Sequence, residues 1–166
     1  DHTGEPLDLI PTDLPQGAFA RPFTISTDDA AVSATLASAV YQVSAERLSL
    51  GSATGTLTFD YRDESGLAAR KTFYFQPDGQ AFVLNVETSV ERSGTPLPVT
   101  MNFGPAIGLG YDPSGATFTP ERAIHHLAND TERLTAADLQ AQPKYEGAIK
   151  FAGVEEHYFL AAALPS

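Results

Sequence analysis

Two-residue alternation over three consecutive stretches in the middle of the chain constrains the fold more than any other feature. From Thr56 to Arg62, Leu57, Phe59 and Tyr61 share one face, and Thr58, Asp60 and Arg62 share the other. After the polar run Asp63-Glu64-Ser65-Gly66, the stretch Lys71 to Gln76 puts Phe73 and Phe75 on one side. Pro77-Asp78-Gly79 predicts a tight turn, because proline fixes φ and glycine accepts positive φ. Gln80 to Glu91 then carries Phe82, Leu84, Val86 and Val90. Side chains alternate across an extended strand, so the pattern predicts an antiparallel meander with one buried face. Each large side chain buried there contributes about 1.5–3 kcal/mol.

The flanking sequence extends this β reading. Pro6 to Ile10 predicts a short strand stopped by Pro11, followed by a loop over Thr12 to Gly17. Phe19 to Ile25 suits an edge strand, since Pro22 cannot donate to a ladder. Asp28 to Val43 has the alanine content to admit a helix, but dense Ser, Thr and Val make it read as mostly extended or irregular, with Val40–Val43 and Leu48–Leu50 suiting strands. Leu97 to Phe103 and Phe118 to Leu127 predict further strands. One helix start stands out. Thr135 with Asp138 forms a capping box, Leu134 and Leu139 form a hydrophobic staple, and Pro143 ends the helix. Ala148 to Ala152 is a strand, and Glu155 to Leu164 is either a strand or a helix with one apolar face. No internal repeat or linker interrupts the chain, so residues 1–166 read as a single domain. The expected fold is mainly β, with one or two short helices near the C-terminal end.

Charge narrows the partners. Twenty-one acidic residues against ten basic ones leave a formal charge of −11, which repels phosphate backbones and anionic lipid alike. Nucleic acid is therefore not an expected partner. The absence of cysteine removes disulfides, thiolate chemistry and Cys-type zinc sites. The longest apolar run, Tyr158 to Leu164, is far shorter than the ~20 residues a spanning helix needs. The chain opens in polar, turn-like sequence with no signal-peptide pattern before Asp1, and it ends just after an apolar run; it reads as a piece of a longer protein.

The candidate chemical sites are sparse. His125-His126 and Glu155-Glu156-His157 hold the residue types of a zinc or acid–base site. Neighbours on a strand point to opposite faces, so His125 and His126 cannot ligate one ion; Glu155 and His157 share a face but lack a third ligand. Gly104 to Gly110 lacks the Gly-Lys-Ser/Thr ending of a phosphate loop and reads as a bulged turn. Gly51 to Gly55 has Ala53 where a nucleophile elbow needs serine. Asp63-Glu64 falls on a hairpin tip, where both carboxylates stay hydrated, and Asn129-Asp130-Thr131 matches a glycosylation pattern. No catalytic, cofactor or metal residue is assigned.

The C-terminal stretch Gly147 to Pro165 resembles a segment of the bacterial membrane protein insertase YidC family, in which an aromatic-bearing strand leads to a Tyr-Phe pair and a small apolar run closed by proline. Gly147, Phe151, Gly153, Tyr158, Phe159 and Pro165 carry this signature, with Phe151 standing where the family usually has tryptophan. Gly4 to Ile10 and Gly55 to Val90 are similar to other strands of that family's large first periplasmic domain. The resemblance implies an antiparallel β-supersandwich similar to galactose mutarotases, lacking its first strands before Asp1 and its closing strands and helix after Ser166. It implies a position on the periplasmic side of the inner membrane, in a parent whose transmembrane bundle performs the insertion. The segment itself is then catalytically silent. Its implied partners are the Sec translocon components SecDF and SecYEG and nascent membrane proteins, the latter held in a cleft or at a sheet edge. The alternative is a carbohydrate-binding or mutarotase-like supersandwich using His125, His126 or His157 with an acidic residue. A third reading is a β-sandwich adhesin or assembly module.

Overall fold

The computed structural model describes residues 21–77, 82–103, 122–155 and 160–165. Of these residues 48% are strand and 13% helix, so the chain is mainly β with antiparallel sheets and two short helices, consistent with a β-sandwich. In chain order the elements are β1 (Ile25–Ser26), α1 (Ala30–Ser38), β2 (Gln42–Val43), β3 (Gly55–Arg62), β4 (Leu67–Phe75), β5 (Leu84–Arg92), β6 (Thr95–Leu97) and β7 (Thr100–Met101). They continue with β8 (Arg122–Leu127), β9 (Asp130–Leu134), α2 (Ala136–Ala141), β10 (Ile149–Glu155) and β11 (Leu160–Ala163). Contacts divide the chain into two compact units, Phe23–Asn102 and the remainder.

Within Phe23–Asn102 the meander forms as the alternation predicts, in a five-stranded sheet ordered β2-β3-β4-β5-β6. Leu57 pairs with Phe73 and Phe73 with Val86, while Tyr61 pairs with Ala69 and Ala69 with Val90. Directly paired residues share a face, so the apolar side chains gather on one side of the sheet. The core lies there: Ile25, Val32, Leu36, Leu67, Ala69 and Val90, flanked by Tyr41, Tyr61, Leu97, Val99 and Met101. The hairpin turns are local chemistry. The Asp63 carboxylate accepts from Ser65 N, Ser65 Oγ and Leu67 N at 2.9, 2.6 and 3.1 Å, and Gly66 follows at φ +81°. Asp63 is thus a half-buried turn former, whereas Glu64 is exposed. Between β5 and β6, Ser93 and Gly94 both take positive φ (50° and 79°), the geometry that matches strand twist in a tight hairpin.

Several expectations are corrected. Asp28 to Val43 is not mostly extended or irregular: α1 occupies Ala30–Ser38, and only Gln42–Val43 is strand. Asp29 decides this by accepting from Ala31 N and Val32 N at 2.8 and 3.1 Å, satisfying amides that open a helix. The hydroxyls that argued for strand instead bond back along the helix, Thr35 to Ala31 O and Ser38 to Ala34 O. Val32 and Leu36, one turn apart, bury against the sheet, so tertiary packing overrides a weak local preference. This helix lies far from the C-terminal end, where α2 alone matches the expected position. Leu48–Leu50 forms no strand. The edge strand expected to span Phe19 to Ile25 reduces to Ile25–Ser26, because Pro22 and Phe23 turn; residues 19–20 lie outside the described residues.

Other boundaries move. The second meander strand begins at Leu67 rather than Lys71, and the third begins at Leu84, leaving Phe82 fully exposed at 101% instead of buried. The strand expected over Leu97 to Phe103 is two pieces in different sheets: β6 ends the five-stranded sheet, while β7 pairs with β1. That second pairing clasps the unit's two ends, with Phe23 N donating to Asn102 O (2.9 Å) and Asn102 N to Thr24 O (2.8 Å). Expectations for Pro6–Ile10, Thr12–Gly17, the turn beyond Pro77, Gly104–Gly110 and the start of Phe118–Leu127 lie outside the described residues.

In the other unit a four-stranded sheet is ordered β11-β10-β8-β9. Glu155 closes β10, and Leu160–Ala163 returns as a strand rather than a helix. α2 starts as predicted: Thr135 Oγ1 accepts from Asp138 N at 3.3 Å, and Asp138 Oδ2 accepts from Thr135 N at 2.8 Å.

Candidate functional site

The histidine pair sits on β8 and splits as strand geometry requires. His125 is buried, paired with Glu132 on β9 and Ala152 on β10. Its Nε2 lies 3.7 Å from Glu132 Oε2, too long for a hydrogen bond, and among the described residues both ring nitrogens lack a hydrogen-bond partner. The ring packs on Tyr145 at 4.6 Å between centroids. His126 occupies the opposite face, with Nδ1 2.7 Å from Thr131 Oγ1 and its ring stacked on Phe151 at 5.9 Å. The two imidazoles therefore cannot act on one ring of a bound sugar or on one ion. Glu155 is engaged by Arg133 Nε at 2.6 Å, and His157 lies outside the described residues. Among the described residues no group of three or more His, Asp or Glu is placed to hold a metal. Asn129 is in the β8–β9 turn, next to Ala128 at φ +56°.

Of the signature residues, Gly147, Phe151, Gly153 and Pro165 fall among the described residues. Phe151 supports the His126 ring from β10. Gly153 pairs with Ala162 on β11, and a Cβ there would run into the Ala161 carbonyl oxygen and lie 2.8 Å from Ala162 Cα. Only glycine permits that approach. Gly147 enters β10 at φ +133°, beside Leu127 Cδ1. Pro165 is exposed after β11, and Tyr158 and Phe159 lie outside the described residues.

The five-stranded sheet carries the more polar surface. On its outer face Arg70 Nε meets Asp60 Oδ1 at 2.7 Å, Tyr74 OH donates to Glu87 Oε2 at 2.9 Å, and Arg62 reaches Glu91 at 3.9 Å. The Arg70 guanidinium holds the Asp60 carboxyl below its ordinary pKa, and the Glu87 carboxylate pushes the Tyr74 phenol up. All are solvated, so each pair contributes little to stability. Two depressions of about 190 and 360 Å³ lie over this ladder, lined chiefly by Asp60, Tyr61, Arg62 and Arg70. Ligand pockets of comparable size are mostly apolar and enclosing, and these are open and charged. Sequence reasoning placed Asp60 and Arg62 on this face but missed Arg70, because it began β4 one residue too late to include it.

On the inner face Lys71 is half-buried and, among the described residues, no carboxylate pairs with it. Its Nζ lies 4.3 Å from the Tyr41 ring centroid and 5.9 Å from that of Phe59, and donates to Phe23 O at 3.4 Å. Burial lowers its pKa. Phe23, at φ +61°, also packs edge-on against Phe73 at 5.2 Å, so the lysine fastens the strained entry of the chain to the sheet.

The class defined by this fold and these surfaces is an antiparallel β domain that offers solvated faces and strand edges. The chain belongs to the YidC periplasmic domain family, whose model matches residues 1–166. It is similar to the membrane protein insertase YidC of Anaeromyxobacter dehalogenans strain 2CP-1, 36% identical over 113 residues, covering 67% of this chain and 20% of that protein. The same insertase from strain 2CP-C is 35% identical over 113 residues, covering 67% and 21%. That of Anaeromyxobacter sp. strain K is 34% identical over 116 residues, covering 67% and 20%. The match therefore spans about one fifth of the length of these relatives. No solved structure matches the chain. Among the described residues no helix is long and apolar enough to cross a membrane.

Proposed function

We propose that this chain is a non-catalytic periplasmic domain of an inner-membrane protein insertase, assisting insertion and folding by contact rather than by bond chemistry. The family match along residues 1–166 carries the reading, in which both compact units belong to one domain. The geometry supports it. The imidazoles face apart, the depressions are charged and open, and the polar ladder consists of solvated ion pairs and a tyrosine–carboxylate hydrogen bond of the kind that decorate a surface. The parent is membrane-embedded, with this segment on the periplasmic side. Its contacts are Sec translocon components such as SecDF and SecYEG, or extended stretches of nascent membrane proteins. Gly147, Phe151, Gly153, Tyr158, Phe159 and Pro165 serve the scaffold.

Detergent-solubilised SecDF and SecYEG passed over the immobilised chain test the first contact, and unfolded membrane-protein segments test the second. Saturable retention of either supports the reading. Retention of neither, together with saturable sugar binding lost in His125→Ala, would replace it with the carbohydrate alternative.

A further inference from the structure

We infer that the outer edge of β5, Leu84–Thr88, is an acceptor for an extended polypeptide segment that alternates apolar and basic residues. The inference rests on the substrate-contact reading above and says where that contact falls. The tight Ser93-Gly94 turn makes Arg92 and Thr95 the closing hydrogen-bonded pair of the hairpin, and pairing continues to Val90 with Leu97. Amides alternate direction along a strand, so Leu84, Val86 and Thr88 direct their N–H and C=O away from β4. Beyond Leu97 the chain leaves to pair β7 with β1, and among the described residues no strand covers this part of β5. Such a row of unpaired groups binds extended peptides by strand addition.

The other described edges are poorer acceptors. β9 is Asp-Thr-Glu-Arg-Leu, charged along its length, and β2 and β6 are very short, β6 with Pro96 within it. β11 is short and nearly all alanine, with no alternating pockets to read a sequence. β5, in contrast, is entered by Phe82 and Val83, 101% and 50% exposed, and Leu84 and Val86 lie half-buried on its inner face. Side chains of an added strand would meet this apolar row on one face. On the other they would meet Glu87, exposed on the polar side, with Glu91 four residues further along the same face. Arg92, the basic residue of this hairpin, is engaged by Asp29 at 3.4 Å. Local charge and the net −11 thus favour a cationic occupant and oppose a second copy of this chain.

The test uses the whole chain and a fluorescein-labelled decapeptide of alternating Val and Lys, beside a Val/Glu peptide of the same length, read by fluorescence anisotropy. The Val/Lys peptide should bind saturably and the Val/Glu peptide at least tenfold more weakly. Val86→Pro removes an amide that points outward and spares the ladder to β4, so it should weaken Val/Lys binding tenfold or more with the far-UV spectrum unchanged. Glu87→Lys, an exposed substitution, should invert the preference between the two peptides. Val/Lys binding unchanged by both substitutions would overturn the edge assignment while leaving the substrate-contact reading standing. No binding by either peptide up to about 1 mM would overturn both. A dimer in sedimentation that Val86→Pro dissociates would make a second copy the occupant and also overturn the inference.

Discussion

Replacing Leu36 with alanine tests whether α1 is held by the sheet or merely lies on it. Leu36 is 3% exposed and packs in one cluster with Ile25, Val32, Leu67, Ala69 and Val90. The substitution removes three carbons, worth about 2.4 kcal/mol at ~0.8 kcal/mol each. The cavity left behind adds to this, and the usual range for such a change is about 2–5 kcal/mol. Taking about 3 kcal/mol, the midpoint falls by roughly 6–12 °C if the chain melts as one body, or by roughly 12–24 °C if Phe23–Asn102 melts as a smaller cooperative unit. Differential scanning calorimetry reads both the shift and the number of transitions. Val40→Ala is the control: at 89% exposure it should change stability by no more than about 0.5 kcal/mol. A Leu36→Ala midpoint indistinguishable from that of Val40→Ala would refute the helix-on-sheet core.

Two further predictions follow from the same physical logic. Gly153→Val should separate β11 from β10, because the new side chain meets the Ala161 carbonyl; amide exchange across Leu160–Ala163 should accelerate at least tenfold, and unchanged protection would refute the close approach. Stability should also turn over with pH. Asp29, Asp63 and Asp138 have pKa values lowered below 3.8, by the Val32 amide, the Ser65 hydroxyl and the Thr135 hydroxyl respectively. A depressed carboxylate stabilises the fold above its unfolded pKa, and that contribution is lost as pH falls below about 3.8 through the folded value. From pH 7 down to the pI near 4.6 the shrinking net charge acts in the opposite sense by relieving repulsion. Urea midpoints should therefore peak near pH 5 and drop below about pH 4; a midpoint rising steadily to pH 3 would contradict the capping and turn assignments.

The meander was legible because its alternation is governed by one local rule, and the same rule separated His125 from His126. The α2 start was legible because Thr135 and Asp138 satisfy each other within one turn. α1 was not, since the alanine content that admits a helix was outweighed by dense Ser, Thr and Val, and the Asp29 cap and the Val32–Leu36 spacing went unread. The sheet supplied the deciding energy from residues distant in sequence. The β5–β6 hairpin had a readable signal in Ser93-Gly94, the turn pair that positive φ requires. The Arg70–Asp60 pair and the half-buried Lys71 depend on cross-strand register, which alternation leaves open until the turns are fixed. The uncovered edge of β5 was equally hidden, because it exists only where β7 departs to another sheet.

The proposed function is contact with extended chains, without bond chemistry on them. The most direct measurement places a photoreactive residue at position 85 of the intact parent insertase and irradiates it during synthesis of a membrane protein. An adduct with the nascent chain, lost on adding Val86→Pro while a photoreactive residue at position 144 gives none, is the predicted result. Equal adducts at both positions, or adducts at position 85 that survive Val86→Pro, would contradict it.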